Sequence, residues 1–425
     1  MSDTTGLGGE HEQPTIDTAL LRGLTESRYS RRQLIKAAGA GALGLSFSGF
    51  LAACGAAGTN PSGGGTTSGA GAVGSPEWWA KQKKGGTFQF ANWPYYIDVS
   101  NHGKSHPSLH KFTEATGIKV NYLEVIQNND SFYAKIQPSL QGGQATGYDM
   151  IVMTNGWYLT ELINHKWLIP LDLSLIPNFT KYASPLVKSP NYDLGNKYTI
   201  TWQSGFTGIA YDPRKTGREI TSVQDLFDPK FSGHVGMMSD NTELGSVGLL
   251  ALGIDPATST RADWQKAANK LKQQRSLVRQ YYDQSYIKAL ESGDTWISQA
   301  WSGDIYQANN SGYPHLKFVA PKEGVMAWHD NMAIPLHAAH PRDAIEWMNF
   351  YYEPKIAAEV ADWVDYITPV PAAKPILVKE DPAVGKSPLV FPTKAMTAKA
   401  HDYYTFKNYD DFTAWNNTFN PIIQS

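Results

Sequence analysis

Cys54 is the only cysteine in the 425-residue chain, so whatever lies beyond it must fold without a disulfide and without a cysteine-based metal cluster. Cohesion has to come from a hydrophobic core. The roughly 350 residues of folded body are enough for two lobes. A formal net charge of -2, from 37 basic and 39 acidic residues, argues against general nucleic-acid binding.

The segment before that cysteine sets where the body works. Ser30-Arg31-Arg32-Gln33-Leu34-Ile35-Lys36 reads as a twin-arginine export signal, followed by a weakly apolar Ala/Gly/Leu run and then Leu51-Ala52-Ala53-Cys54. That tetrapeptide resembles a bacterial lipobox, in which the cysteine thiol takes a diacylglyceryl group and becomes the mature N-terminus. Cys54 is then an anchor rather than a catalyst, and two acyl chains hold better than one. The competing reading is a membrane-spanning helix from Ala37 to Ala53. That run is short of the about 20 residues a crossing needs and is broken by Gly39, Gly41, Gly44 and Gly49. Residues 1–53 are thus expected to be a signal peptide, and 54–84 a lipidated cysteine with a flexible Gly/Ser/Thr linker lacking aromatic or charged residues until past Pro76. Folding is expected to begin near Gly85.

From there strand and helix patterns alternate. Thr87 to Asn92 and Ile118 to Val125 read as strands, with a helix from Pro107 to Thr116 closed by Gly117 between them. Met150 to Met153 reads as a strand and Trp157 to Ile163 as the helix behind it. Further helices are expected at Thr242 to Leu252, Arg261 to Gln273, Pro341 to Tyr352 and Pro354 to Val364. The class is α/β with largely parallel sheets.

The usual catalytic signatures are missing: no Walker A loop, no Gly-x-Ser-x-Gly elbow and no His-Glu-x-x-His. The two Gly-x-Gly-x-x-Gly matches, starting at Gly39 and Gly69, fall in the signal and linker, where no strand precedes them. His102, His106 and His110 recur every four residues and on one helix could gather zinc, but Gly103 and Pro107 interrupt the run. No metal or cofactor is expected.

Aromatic residues beside isolated carboxylates stand out instead, among 13 Trp and 22 Tyr. They gather in Asn92-Trp93-Pro94-Tyr95-Tyr96, Trp301-Ser302-Gly303-Asp304, Trp328-His329-Asp330 and Asp365-Tyr366. Any one aromatic alone is as well explained by core packing. At strand ends, where open α/β sheets place ligands, acids with aromatic walls suit an organic cation: carboxylates bind ammonium groups while rings pack on methylenes and attract charge through their faces. A sugar would also use the rings and would need fewer acids.

These segments carry a specific resemblance. Asn92-Trp93-Pro94-Tyr95-Tyr96, Phe112-Thr113-Glu114-Ala115-Thr116-Gly117-Ile118-Lys119-Val120, Tyr148-Asp149-Met150-Ile151-Val152, Pro321-Lys322-Glu323-Gly324, Trp328-His329-Asp330-Asn331-Met332-Ala333-Ile334-Pro335 and Tyr366-Ile367-Thr368-Pro369 occur in an order that resembles the periplasmic spermidine/putrescine-binding proteins of ABC importers. The likeness runs from about Gly86 to Ile376.

The resemblance implies a two-lobed type II periplasmic-binding fold with a ligand cleft between the lobes and two hinge crossings, near Ser204 and Asp330. Lobe one would take residues 86–203 and 331–379, lobe two residues 204–330, and residues 380–425 a C-terminal helical extension packed back on lobe one. It implies ligand roles for Trp93 and Tyr96 of the first strand, for Asp240 and Glu243 at a lobe-two helix start, and for Trp301, Trp328, Asp330 and Tyr366. Asp240 and Glu243 could also simply cap their helix, Trp301 could be core, and Asp330 could be met by an internal Arg or Lys. The family's Thr and Glu between its first-strand Trp and Tyr are here Pro94 and Tyr95, which removes an acid. Asp283 aligns with a ligand-contacting serine and could replace it. Around Thr154 the loop is one residue longer, leaving open whether Trp157 or Tyr158 faces the ligand.

The chain is thus expected to be a membrane-tethered, extracytoplasmic receptor, monomeric and without catalysis, that captures putrescine or spermidine and delivers it to an ABC permease and its ATPase. Another small solute, an amino-alkyl compound or a sugar, is the alternative on the same fold. A hydrolase using two of the acids is disfavoured because no acid pair sits in a hydrolase motif.

Overall fold

The computed structural model describes residues 71–100, 105–283 and 285–424. The twin-arginine motif, Cys54, the linker up to residue 70 and His102 lie outside the described residues.

Order begins earlier than the composition implied. Residues Pro76–Lys81 form a helix, α1, capped by Ser75, and Trp79 is buried with its indole N–H donated to the Pro170 carbonyl at 2.9 Å. The expected linker up to residue 84 is corrected here, because Trp78 and Trp79 supply apolar surface that a Gly/Ser/Thr tract lacks.

The body alternates as expected: β1 (Thr87–Asn92), α2 (Pro107–Thr116), β2 (Lys119–Glu124), α3 (Asn129–Gln141), β3 (Met150–Thr154) and α4 (Trp157–Asn164). Helix α2 starts at Pro107, whose ring presets the first turn, and stops at Gly117, which takes the left-handed conformation at φ 75°. Then come β4 (Thr199–Tyr211), β5 (Val235–Met238), α5 (Asn241–Leu250), α6 (Arg261–Gln274), β6 (Val278–Tyr282), α7 (Tyr286–Ser292), β7 (Ile297–Trp301) and α8 (Ser302–Asn310). The chain closes with β8 (Lys317–Val319), β9 (Val325–Ala333), α9 (Pro341–Tyr351), α10 (Pro354–Val364), β10 (Ala400–His401) and α11 (Tyr409–Ile423).

These strands join one sheet in the order β2-β1-β3-β9-β4-β7-β5-β6, with β10 on β9 and β8 on β4. Its flanks are parallel, but the centre is antiparallel, with β9 paired to β3 and β4, and β4 paired to β7. The expected largely parallel sheets are therefore one mixed sheet. The reason lies in β4 and β9, which run past each other with Gln203 opposite Asp330 and Ser204 opposite His329. Strand β3 pairs with the Asp330–Ala333 end of β9, while β7 pairs with the Thr207–Tyr211 end of β4. Each long strand thus belongs to both lobes. Every residue of both is buried, as expected of strands covered on both faces.

The C-terminal extension lies elsewhere than expected. Helix α11 packs mainly on the lobe-two helices α5 and α6 and touches lobe one only at its start, where Phe412 stacks on Trp157. The Trp415 ring sits 5.1 Å from Trp264, its N–H donates to the Asn241 carbonyl at 3.1 Å, and Arg261 pairs with Asp411 at 2.7 Å. The lobe-two surface is shaped for it, since a Cβ on Gly245 would come within 2.3 Å of Trp415. Strand β10 meanwhile joins the sheet alongside Val325 and Met326.

Candidate functional site

Asp330 stands where the two hinge strands exchange lobes. Its Oδ2 accepts a hydrogen bond from the Tyr96 hydroxyl at 2.5 Å and its Oδ1 one from Thr154 at 2.6 Å. The sheet makes this meeting possible: Thr154 ends β3 directly opposite Asp330 in the ladder, and Tyr96 is placed by the Trp202 indole, which donates to the Tyr96 carbonyl at 3.1 Å.

From Asp330 a wall of rings leads into lobe two. The Tyr96 ring meets Tyr366 edge to face at 6.1 Å, and Tyr366 meets Trp328 at 5.2 Å. Such T-shaped pairs set the positive rim of one ring against the negative face of the next. Two glycines make room. A Cβ on Gly205 would lie 2.1 Å from Trp328 and one on Gly303 would lie 2.2 Å from Tyr366.

The Tyr366 hydroxyl donates to Asp304 at 2.8 Å, and Tyr286 donates to the other Asp304 oxygen at the same distance. Tyr286 also accepts from the Trp301 backbone at 3.0 Å, while the Trp301 indole donates to Glu243 Oε1 at 3.2 Å. Glu243 Oε1 further accepts from Thr207 at 2.8 Å and Tyr403 at 2.7 Å. Glu243 Oε2 is buried and has no hydrogen-bond partner among the described residues, and the same holds for the Trp328 indole nitrogen.

Three carboxylates, Asp330, Asp304 and Glu243, are therefore strung along one aromatic path, each less than 10% exposed. Among the described residues no group of three His, Cys, Asp or Glu is arranged to hold a metal ion. The acids are linked one to the next through tyrosine and tryptophan contacts and do not converge on one point. Burial first, and then the charge of Asp240, push the Glu243 carboxyl from 4.5 up to about 7. Asp304 and Glu243 both lie in the first turn of a helix, where the positive end of the dipole favours an acid; at Glu243 burial outweighs it.

The other expected residues fall outside this path. Asp240 caps α5, accepting from the Thr242 and Glu243 amides at 2.8 and 3.0 Å, so its capping role is filled. Glu243 does not return the bond of a capping box and turns to Thr207, Trp301 and Tyr403. Asp283 is exposed in a turn and accepts from the Ser285 amide at 2.7 Å. Trp93 donates its indole N–H to the Val152 carbonyl at 3.2 Å and lies partly buried against the core. The Trp157 ring, expected as a ligand wall, stacks on Phe412 of the C-terminal helix at 4.7 Å and 7° and is 6% exposed. Of the histidines, His106 precedes α2 with its ring on the Asp98 carbonyl, and His110 pairs with Glu114 on the surface.

Asp304, Tyr286, Thr207 and Tyr403 were not among the expected residues. Asp304 had a visible signal, three residues after Trp301. Tyr403, 160 positions from Glu243, had none.

Two lobes sharing a pair of continuous strands, with a buried polar and aromatic path at the crossing, define a type II periplasmic binding protein. Residues 108–386 match the profile of the bacterial extracellular solute-binding proteins, and the chain belongs to that family. It is 29% identical over 323 residues to the spermidine/putrescine-binding periplasmic protein 1 of Haemophilus influenzae, covering 76% of this chain and 87% of the relative. It is 31% identical over 333 residues to the putrescine-binding periplasmic protein SpuD of Pseudomonas aeruginosa, covering 74% and 85%. The substrate-binding protein PotD of a spermidine/putrescine ABC transporter from Streptococcus pneumoniae superposes with a TM-score of 0.68 at 24% identity, covering 80% of this chain and 98% of that one.

Proposed function

We infer that this chain is the receptor of an ABC importer that captures a linear polyamine, putrescine or spermidine, between its lobes and delivers it to the permease without chemical change. The observation that carries this reading is the set of three buried, non-convergent carboxylates joined through aromatic side chains. A point cation would need its ligands convergent, whereas a chain of methylenes ending in ammonium groups needs acids apart and rings between them. The names of the curated relatives support the same class of ligand.

In this reading Asp330, Asp304 and Glu243 receive the amines, and Tyr96, Trp301, Trp328 and Tyr366 enclose the methylenes. Lobe one comprises 86–203 and 331–379, and lobe two 204–330. A ligand touching both lobes favours the closed form and shifts the hinge population toward it. Export through the twin-arginine signal and a lipid on Cys54 would hold the receptor outside the cytoplasm, beside its permease. Among the described residues no helix is long and apolar enough to cross a membrane, so a tether of this kind would do that work.

Calorimetric titration with putrescine, spermidine and spermine, beside a neutral sugar and a diol of matched length, tests the reading. Binding of one polyamine, lost in Asp330→Asn, is expected. Heat from the sugar or diol with none from any amine would assign the fold a different solute.

A further inference from the structure

The pole of lobe one that receives the chain from Cys54 is basic. Residues 71–86 carry Lys81, Lys83 and Lys84 against one acid, Glu77, in a chain whose formal net charge is -2. The three lysines and Val73 are exposed, and Trp78 is half-buried. This run is built into the body. Trp79 donates to the Pro170 carbonyl, the Trp78 ring stands edge to face on Trp79 at 5.0 Å, and the Gly85 and Thr87 amides donate to the buried Asp343 at 2.9 and 3.1 Å. Lys197 is exposed beside it, its carbonyl accepting from the Leu171 amide at 2.7 Å, one residue after Pro170. Of the nearby acids, Glu346 is met by Lys84 at 3.3 Å and by Arg342 at 3.7 Å. The strands place this pole away from the cleft. Strand β1 starts here at Thr87 and runs parallel to β3, which ends at Thr154 opposite Asp330.

We propose that this pole is a lipid-facing surface, on which Lys81, Lys83, Lys84 and Lys197 meet anionic headgroups while Val73 and Trp78 sit among them, so that the cleft at the other end is turned outward for capture. The proposal rests on the reading of Cys54 as a lipid anchor. Residues 55–70 separate that anchor from Gly71, and a chain of this length reaches at most about 60 Å. The pole is thereby held near the bilayer, where a high effective concentration makes a weak contact count. A lysine beside an anionic leaflet strengthens association roughly fivefold, and a tryptophan favours the interface, where its ring is sheltered and its N–H is wet. A protein partner would be served by a shaped apolar centre within a polar rim; here the order is reversed, with lysines ranged about a short apolar edge. The contact is screened by salt and can release.

The test uses residues 54–425, which hold the whole described body, with Cys54→Ser so that no lipid is attached, sedimented with vesicles of phosphatidylcholine alone or mixed with phosphatidylglycerol. Association with the anionic vesicles is expected to be roughly tenfold or more tighter, and to be lost at high salt. Lys81→Gln, Lys83→Gln and Lys84→Gln together should abolish that preference, and Trp78→Ala should weaken the association, while the melting temperature and the calorimetric titration with putrescine stay those of the parent in the triple variant. Equal association with both kinds of vesicle, association that survives the lysine changes, or none with either would overturn the proposal. A concentration-dependent dimer that the lysine changes break would also overturn it and give the face to a second copy. Mass spectrometry of the membrane-extracted full chain reads the anchor separately. An unmodified Cys54 would overturn the anchor and the proposal with it, whereas an acylated Cys54 with no preference for anionic vesicles would overturn the lipid-facing surface alone.

Discussion

Tyr366, two residues beyond α10, donates a hydrogen bond to Asp304, in the first turn of α8, at 2.8 Å. The bond joins a segment that follows a lobe-one helix to a lobe-two helix, next to the point where β4 and β9 change lobes. It makes one acid of the path depend on a hydroxyl carried from the other side of the cleft.

Asp304→Asn keeps the shape of that contact and removes its charge. Polyamine affinity should fall by roughly tenfold or more, since hydrogen bonds and ion pairs to a charged group contribute about 1.5–3 kcal/mol. A double-mutant cycle with Tyr366→Phe, read by thermal unfolding, should show coupling of about 1 kcal/mol. Additive effects would mean the contact carries no energy.

Glu243 predicts a pH dependence of binding. Its folded pKa of about 7 lies above the ordinary 4.5, so its contribution to stability is fully present below 4.5 and is lost as pH rises through 7. A cationic ligand prefers the carboxylate. Affinity should therefore climb between about pH 6 and 8, with proton release detectable as a dependence of the calorimetric heat on buffer ionisation enthalpy. Glu243→Gln should flatten the curve and abolish the release.

His329 predicts the opposite slope for stability. Burial pushes its imidazole from 6.5 down to about 4, and its Nδ1 lies 2.7 Å from the Ser204 hydroxyl at the hinge. A base with a depressed folded pKa contributes stability above its unfolded value, and that contribution is lost as pH falls through the folded one. The melting temperature should drop between pH 6.5 and 4, by an amount on the order of 3 kcal/mol in unfolding free energy. His329→Gln should remove that component of the slope and leave the Glu243 component in place.

Gly205 and Gly303 predict steric sensitivity. Alanine at either would drive a Cβ to 2.1 Å from Trp328 or 2.2 Å from Tyr366. Each substitution should cost about 1–3 kcal/mol of stability and displace a ring of the wall, so that both melting temperature and polyamine affinity decline. Retention of both would show that the rings can shift freely.

Much of the scaffold was legible locally. Helix α2 could be read because Pro107 and Gly117 act within a turn of themselves, and α9 and α10 because Pro341 and Pro354 preset the first residue of a helix. Strands β1 and β3 were visible from short apolar or alternating runs. The antiparallel centre of the sheet was not, since the partner of a buried strand depends on where distant chain segments return, and nothing in Thr199–Tyr211 names β9 as its neighbour. Tyr96, Asp330, Glu243, Trp301, Trp328 and Tyr366 were anticipated and lie on the path. Asp283 and Trp157 were drawn away from it, one by a turn amide and the other by Phe412.

By itself the sequence determined that a chain with one cysteine must be held by packing, that helices and strands alternate through the body, and that acids sit beside aromatic residues at several strand ends. Those are properties of neighbouring residues, and short-range sterics and composition decide them. Only the tertiary structure decided which acids meet the same rings, and that a tyrosine 160 residues from Glu243 donates to its carboxylate. Contacts at such separations form when apolar faces such as those of α5, α6 and α11 are buried against one another, and no local pattern encodes which faces will meet.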